Sequence, residues 1–130
     1  MSANLKIVDR RKQKRFRAPD GAFTILWQEP HLTLLGKILD IGRGGFSFRY
    51  LGGKQQMLTP SKVEIVLHTH NFHLQNLPVK TISNVEVEDK MGNGSKTTRR
   101  CSVRFAGLSE EQKFELEHFI RKYTSGAVKT

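Results

Sequence analysis

The sequence predicts a mainly β domain, an antiparallel barrel or closed sandwich finished by one C-terminal helix. Three observations carry this expectation. Six or seven short runs with period-two apolar faces lie between turn signals at near-regular spacing, no helical pattern separates them as a crossover would, and one capped amphipathic segment stands near the end of the chain. With 130 residues there is room for one domain with a core of its own and none for a second catalytic domain.

The elements follow in order. Residues 1–17 carry Lys6, Arg10, Arg11, Lys12, Lys14, Arg15 and Arg17 against one acid, Asp9, so residues 1–20 read as a flexible basic arm and 21–130 as the barrel with its helix. Ala22 to Trp27 places Phe23, Ile25 and Trp27 on one face by period two, with Thr24 opposite. Thr33 to Ile41 is a second apolar run, interrupted by Gly36. Asp40-Ile41-Gly42-Arg43-Gly44-Gly45 is a glycine-rich turn, and Phe46 to Tyr50 alternates aromatic and polar residues beyond it. Val63 to Leu67 is a further strand. Phe72 to Val87 reads as a strand pair or as one bent strand, with Pro78 marking an edge or break, and Met91 to Ser95 as a loop. Cys101, Val103 and Phe105 alternate with Arg100, Ser102 and Arg104 in the pattern of a half-buried antiparallel strand.

The last element has another period. Ser109 and Gln112 fit a capping box, and Glu110 and Glu111 complement the positive end of the helix dipole. Leu116, Phe119, Ile120 and Tyr123 form one apolar stripe, suited to packing over an open end of the barrel. Arg121 and Lys122 occupy the last turn, with Gly126 as the stop beyond it.

Charge and cysteine content exclude several function classes. The net charge is +10, of which +6 lies in residues 1–17, so an anionic partner is expected. One cysteine builds neither an internal disulfide nor a thiolate metal cage, and Cys101 falls on the apolar face of its strand, where a thiol is inert rather than catalytic. His68 and His70 would share one strand face but lack a third ligand nearby, and Glu86, Glu88 and Asp89 read as a solvated strand edge. There is no phosphate-loop or dinucleotide fingerprint, no apolar run long enough to span a membrane, and no signal peptide, so a soluble cytoplasmic protein without enzymatic activity is expected.

Two segments remain: Arg10-Arg11-Lys12-Gln13-Lys14-Arg15, holding an RxxxR pair, and Asp40-Ile41-Gly42-Arg43-Gly44-Gly45, entering the strand at Phe46. In this order, and with the ending Val103-Arg104-Phe105-Ala106-Gly107-Leu108-Ser109, they resemble the PilZ domain, whose signature is RxxxR followed by [D/N]xSxxG. The resemblance covers nearly the whole chain. It implies a six-stranded antiparallel barrel that binds the bacterial second messenger cyclic di-GMP, with no cofactor, and passes the signal to a downstream effector protein yet to be identified. Position for position, Arg11 and Arg15 match the two arginines, Asp40 the acid and Gly45 the final glycine, while Gly42 stands where the family has serine. Arg10 adds a cation that favours a second, stacked ligand, against the plain reading of solvated charge.

These residue types suit such a ligand. An arginine fork matches the O6 and N7 acceptors of guanine, stacks on purines and reaches phosphate. A carboxylate at Asp40 accepts from a guanine edge or orients an arginine, and Gly42, Gly44 and Gly45 let the backbone come close. Loss of one neutral hydrogen bond at Gly42 is expected to weaken binding by roughly two- to tenfold. Two other readings stand beside the receptor: a PilZ-like adaptor acting by protein contact without ligand, and a small basic barrel binding nucleic acid. The second is disfavoured because only Phe16 is interleaved with the basic residues as a stacking platform.

Overall fold

The computed structural model of the chain describes residues 14–28, 32–53, 60–87 and 96–127. In chain order the strands are β1 (Arg15–Arg17), β2 (Ala22–Gln28), β3 (Leu32–Gly42), β4 (Gly45–Gly53), β5 (Lys62–Leu67), β6 (Phe72–Glu86), β7 (Lys96–Phe105) and β8 (Ser125–Ala127), with helix α1 (Glu110–Tyr123) before the last. They form one antiparallel sheet in the order β2-β5-β6-β7-β4-β3-β1-β8, and β2 also pairs with β3. That pairing closes β2, β5, β6, β7, β4 and β3 into a six-stranded barrel, which removes the sheet edges within the ring. Strands β1 and β8 lie outside it as a two-stranded flap on β3.

The length of β3 makes this possible. Its first half, Leu32 to Lys37, pairs with β2, and its last residues, Asp40 to Gly42, pair with β1 along the same edge. The other edge pairs with β4 from Lys37 to Ile41, with a register shift between Ile38 and Asp40. Alternation along β4 sends Phe46, Phe48 and Tyr50 inward, the first two with no exposed surface. Successive rings in this row lie 5.6 and 5.9 Å apart in tilted contact. Each buried phenylalanine contributes about 1.5–3 kcal/mol through burial.

The period of β2 forms as read, and the face of Phe23, Ile25 and Trp27 is the outer one. Ala22, Thr24 and Leu26 point inward, Phe23 and Ile25 are half-buried on the outside, and Trp27 is 51% exposed. Both faces carry apolar residues, so alternation alone does not choose between them. Space does at the middle of the strand, because the Phe48 ring lies against Gly36, the cross-strand partner of Thr24, so the inward position there takes a small side chain. Thr24 donates its hydroxyl to the Glu64 carbonyl at 2.7 Å, and the Trp27 indole donates to Glu64 Oε2 at 2.8 Å on the outside.

Strand β6 is one continuous strand through Pro78. Phe72 to Pro78 pairs with β5 and Val79 onward with β7, so the proline, which has no N–H, sits where the β5 ladder ends. Its carbonyl accepts from the Ala106 N–H at 2.9 Å. Toward the opposite end of the barrel, Arg99 is 8% exposed, donates to the Asn84 side chain at 2.7 Å, and Asn84 donates to the Tyr50 hydroxyl at 2.7 Å. The sequence reading had no role for this buried arginine.

Helix α1 covers the barrel end formed by the β3–β4 turn and the β5–β6 connection. Leu116, Phe119 and Ile120 enter the core, and Phe119 stacks on Phe72 with ring centres 5.1 Å apart. The capping box forms as read: Gln112 N–H donates to Ser109 Oγ at 3.1 Å and Ser109 N–H to Gln112 Oε1 at 3.0 Å. The C-terminus differs from the expectation. The helix ends at Thr124, whose extended backbone and hydroxyl bond to the Ile120 carbonyl replace a left-handed glycine, and Gly126 lies in β8 instead. Among the described residues no helix is long and apolar enough to cross a membrane.

Replacing Ser109 with alanine removes the cap and is expected to lower stability by about 1 kcal/mol, read by urea denaturation with an unchanged slope.

Candidate anion-binding site

The Arg-Phe-Arg triplet of β1 dictates how the arm sits. Period two sends Phe16 toward the core while Arg15 and Arg17 face outward, in register with Gly42 and Asp40. Arg15 Nη1 donates to Asp40 Oδ1 at 2.7 Å. Arg100, from β7, brings Nη2 to 3.6 Å of the other carboxylate oxygen. The Asp40 side chain is only 12% exposed, so this charge is stabilised by two cations from different strands rather than by water.

The glycines around it are needed for space. A Cβ on Gly42 would run into the Lys14 carbonyl oxygen and lie 3.3 Å from Arg15 Cδ. A Cβ on Gly45 would strike the Val103 carbonyl oxygen and lie 2.8 Å from Arg104 Cα. Gly42 therefore lets the arm backbone close on β3, and Gly45 lets β4 close on β7. The sequence reading took Gly42 as the loss of a hydroxyl; in the structure its position has no room for one while β1 is paired.

The outer face beside Asp40 is strongly cationic. Lys37 stands directly opposite Arg49, Arg49 opposite Arg100, and Arg104 opposite Lys80, and all five are exposed. Like charges facing one another across a ladder destabilise a sheet, so this arrangement favours an anion in front of it. On the turn itself Arg43 Nη2 bonds Glu117 Oε2 at 2.5 Å, tying the turn to α1. A cleft of about 510 Å³ opens there between Arg43, Gly44, Phe105, Leu108, Lys113 and Glu117.

The structure thus brings Arg15, Asp40, Gly42 and Gly45 together on one edge of the barrel. Arg10 and Arg11 lie outside the described residues, as do Glu88, Asp89 and the loop from Met91 to Ser95. Two residues of the site had no assigned role in the sequence reading, Arg100 and Ser47. Each was visible as the outward position of an alternating strand, but only the fold shows that both neighbour Asp40, Ser47 as its cross-strand partner and Arg100 through a 3.6 Å approach of its side chain. His68 and His70 occupy a 3-10 turn rather than a strand face, with the His70 ring 4.8 Å from Tyr123. Among the described residues no three His, Cys, Asp or Glu side chains gather as a metal site. Cys101 is fully buried, and burial pushes its thiol up to about 11, with Arg99 pulling weakly the other way.

Fold and geometry define a small antiparallel-barrel domain that gathers arginines around a carboxylate on its outer rim beside a glycine turn. The PilZ domain family model matches residues 9–122, and the chain belongs to the PilZ domain family. Among solved structures it is similar to the PilZ domain of Escherichia coli YcgR with c-di-GMP, at 22% identity and TM-score 0.70, covering 88% of this chain and 92% of that one. It is also similar to the YcgR complex with c-di-GMP (22% identity, TM-score 0.66, 87% of this chain) and to the K. pneumonia MrkH–c-di-GMP complex (14% identity, TM-score 0.67, 87% of this chain). The chain spans about half the length of these two longer chains, 45% and 52%. No curated protein matches it.

Two outcomes follow from this geometry. Gly42→Ser is expected to lower stability by about 1–3 kcal/mol, because the side chain must lever β1 from β3; calorimetry should show a lower Tm. The Cys101 thiol stays protonated in the folded chain while an unfolded thiol ionises near 9.0, so stability is lost as pH rises from about 9 toward about 11. Urea titrations across that range should show this loss in the native protein and not in Cys101→Ala.

Proposed function

We propose that this chain is a receptor for cyclic di-GMP that acts by binding rather than catalysis and relays the ligand's level to a partner protein in the bacterial cytoplasm. The observation that carries this reading is the Asp40 carboxylate holding Arg15 and Arg100 on the barrel rim in front of Gly42 and Gly45. Family membership and the c-di-GMP complexes of its structural neighbours support it.

The chemistry runs from charge outward. Asp40 holds the Arg15 fork in one orientation, so little side-chain freedom is lost when the arginine meets a guanine edge or a phosphate. Arg11, one RxxxR spacing earlier in the arm, supplies the second fork, and Arg10 a further cation for a second ligand molecule. Arg100 and Arg104 face the same rim and offset phosphate charge. As the ligand engages the Arg15 fork on Asp40, the β1–β8 flap shifts on β3, and the Arg43–Glu117 contact carries the displacement of the turn to α1. The side chains of Trp27, Leu35 and Leu51 are 51%, 60% and 52% exposed on the outer faces of β2, β3 and β4, and favour a second reading, an adaptor that works by protein contact without ligand.

Isothermal titration of cyclic di-GMP at physiological salt, with GTP as control, separates these. Saturable heat is expected in the native protein and not with GTP. Arg15→Ala is expected to weaken binding by roughly tenfold or more, since a charge-assisted bond contributes about 1.5–3 kcal/mol. A well-folded native sample giving no saturable heat would overturn the receptor reading in favour of the adaptor.

A further inference from the structure

Ser47 stands on β4 between Phe46 and Phe48, whose rings fill the barrel, so its side chain belongs to the outer face. Its register partners are Asp40 on β3 and Ser102 on β7, and Asp40 in turn faces Arg17 on β1. A small polar residue on an outer face is ordinarily wet. Ser47 is 1% exposed, and its Oγ has no hydrogen-bond partner. Among the described residues only one other side-chain atom shares that condition, Thr81 Oγ1, which faces Val103 and not the row of Asp40.

A buried hydroxyl with nothing to bond is worse for the fold than a methyl group in the same place. Ser47 therefore contributes nothing to folding through its oxygen. The oxygen is nevertheless placed in the one row where a carboxylate gathers two arginines, beside a surface built for an anion. Gly42, the nearest position of the turn on β3, has no space for a polar side chain while the arm is paired.

We infer that Ser47 is a ligand-binding residue, its hydroxyl donating to a phosphate oxygen of the bound cyclic dinucleotide. With a phosphate oxygen seated in front of Arg15 and Arg100, both still held by Asp40, Oγ gains the acceptor it lacks. The site thus obtains from β4 the hydroxyl that the β3 turn does not provide. This inference rests on the receptor reading above and adds a contact to it.

The test is titration of cyclic di-GMP into the native protein and Ser47→Ala, with the Tm of both measured without ligand. The alanine variant is expected to bind roughly two- to tenfold more weakly, the loss of one neutral hydrogen bond, while its Tm stays equal or rises. Weaker binding together with a lowered Tm would overturn the inference, because the serine would then be structural. Equal affinity in both proteins would overturn it and leave the receptor reading standing. Absence of binding by the native protein would overturn both.

Discussion

The Asp40 carboxylate is the point on which the site of this protein turns. It lies in the stretch of β3 that has left β2 and taken β1 as its neighbour, so the strand that helps close the barrel also carries the arm. One oxygen holds Arg15 and the other faces Arg100, while Phe16 between the arm's two arginines is anchored on the core. Removing either arginine would leave a mostly buried charge short of a partner, which is why the pair orders the arm even though ion pairs in general stabilise little. The contact is possible only because Gly42 allows the Lys14 backbone to come close.

The two ends of the barrel are built differently. One is set by a connected polar group, Arg99, Asn84 and Tyr50, in which each member bonds the next. The other holds the glycine turn, the flap of β1 and β8, and a helix joined to the turn through the exposed Arg43–Glu117 pair. Exposed pairs contribute about 0–1 kcal/mol, so this end is held less firmly than the first. Opposed lysines and arginines on the neighbouring outer face add electrostatic stress that an anion relieves. A rigid barrel with a loosely held, cationic rim is the division of labour expected of a binding switch.

Much of this was legible in the sequence because short-range chemistry decides it. The capping box from Ser109 to Gln112 and the alternation of Cys101, Val103 and Phe105 are local patterns, and both formed as read. So did the glycine turn between two strands. What the sequence left open depends on space between distant residues. The inward face of β2 is chosen beside the Phe48 ring, and the helix stop is made by the Thr124 hydroxyl rather than by a left-handed glycine. Arg100 and Ser47 are ordinary outward residues of their strands until the fold sets them beside Asp40, Ser47 by register and Arg100 by the reach of its side chain. Gly42 reads as a missing serine in a motif and as a necessary gap only once the arm lies over it.

The claim at the centre of this account is that Arg15 and Asp40 act as one unit, the carboxylate serving to place the arginine. A double-mutant cycle on cyclic di-GMP affinity, with Arg15→Ala, Asp40→Ala and both together, measures that directly. The account predicts strong coupling, of order 0.5–3 kcal/mol, with the double variant binding about as weakly as Arg15→Ala alone. Losses that simply add would contradict it, showing that Asp40 meets the ligand independently of the arginine it holds.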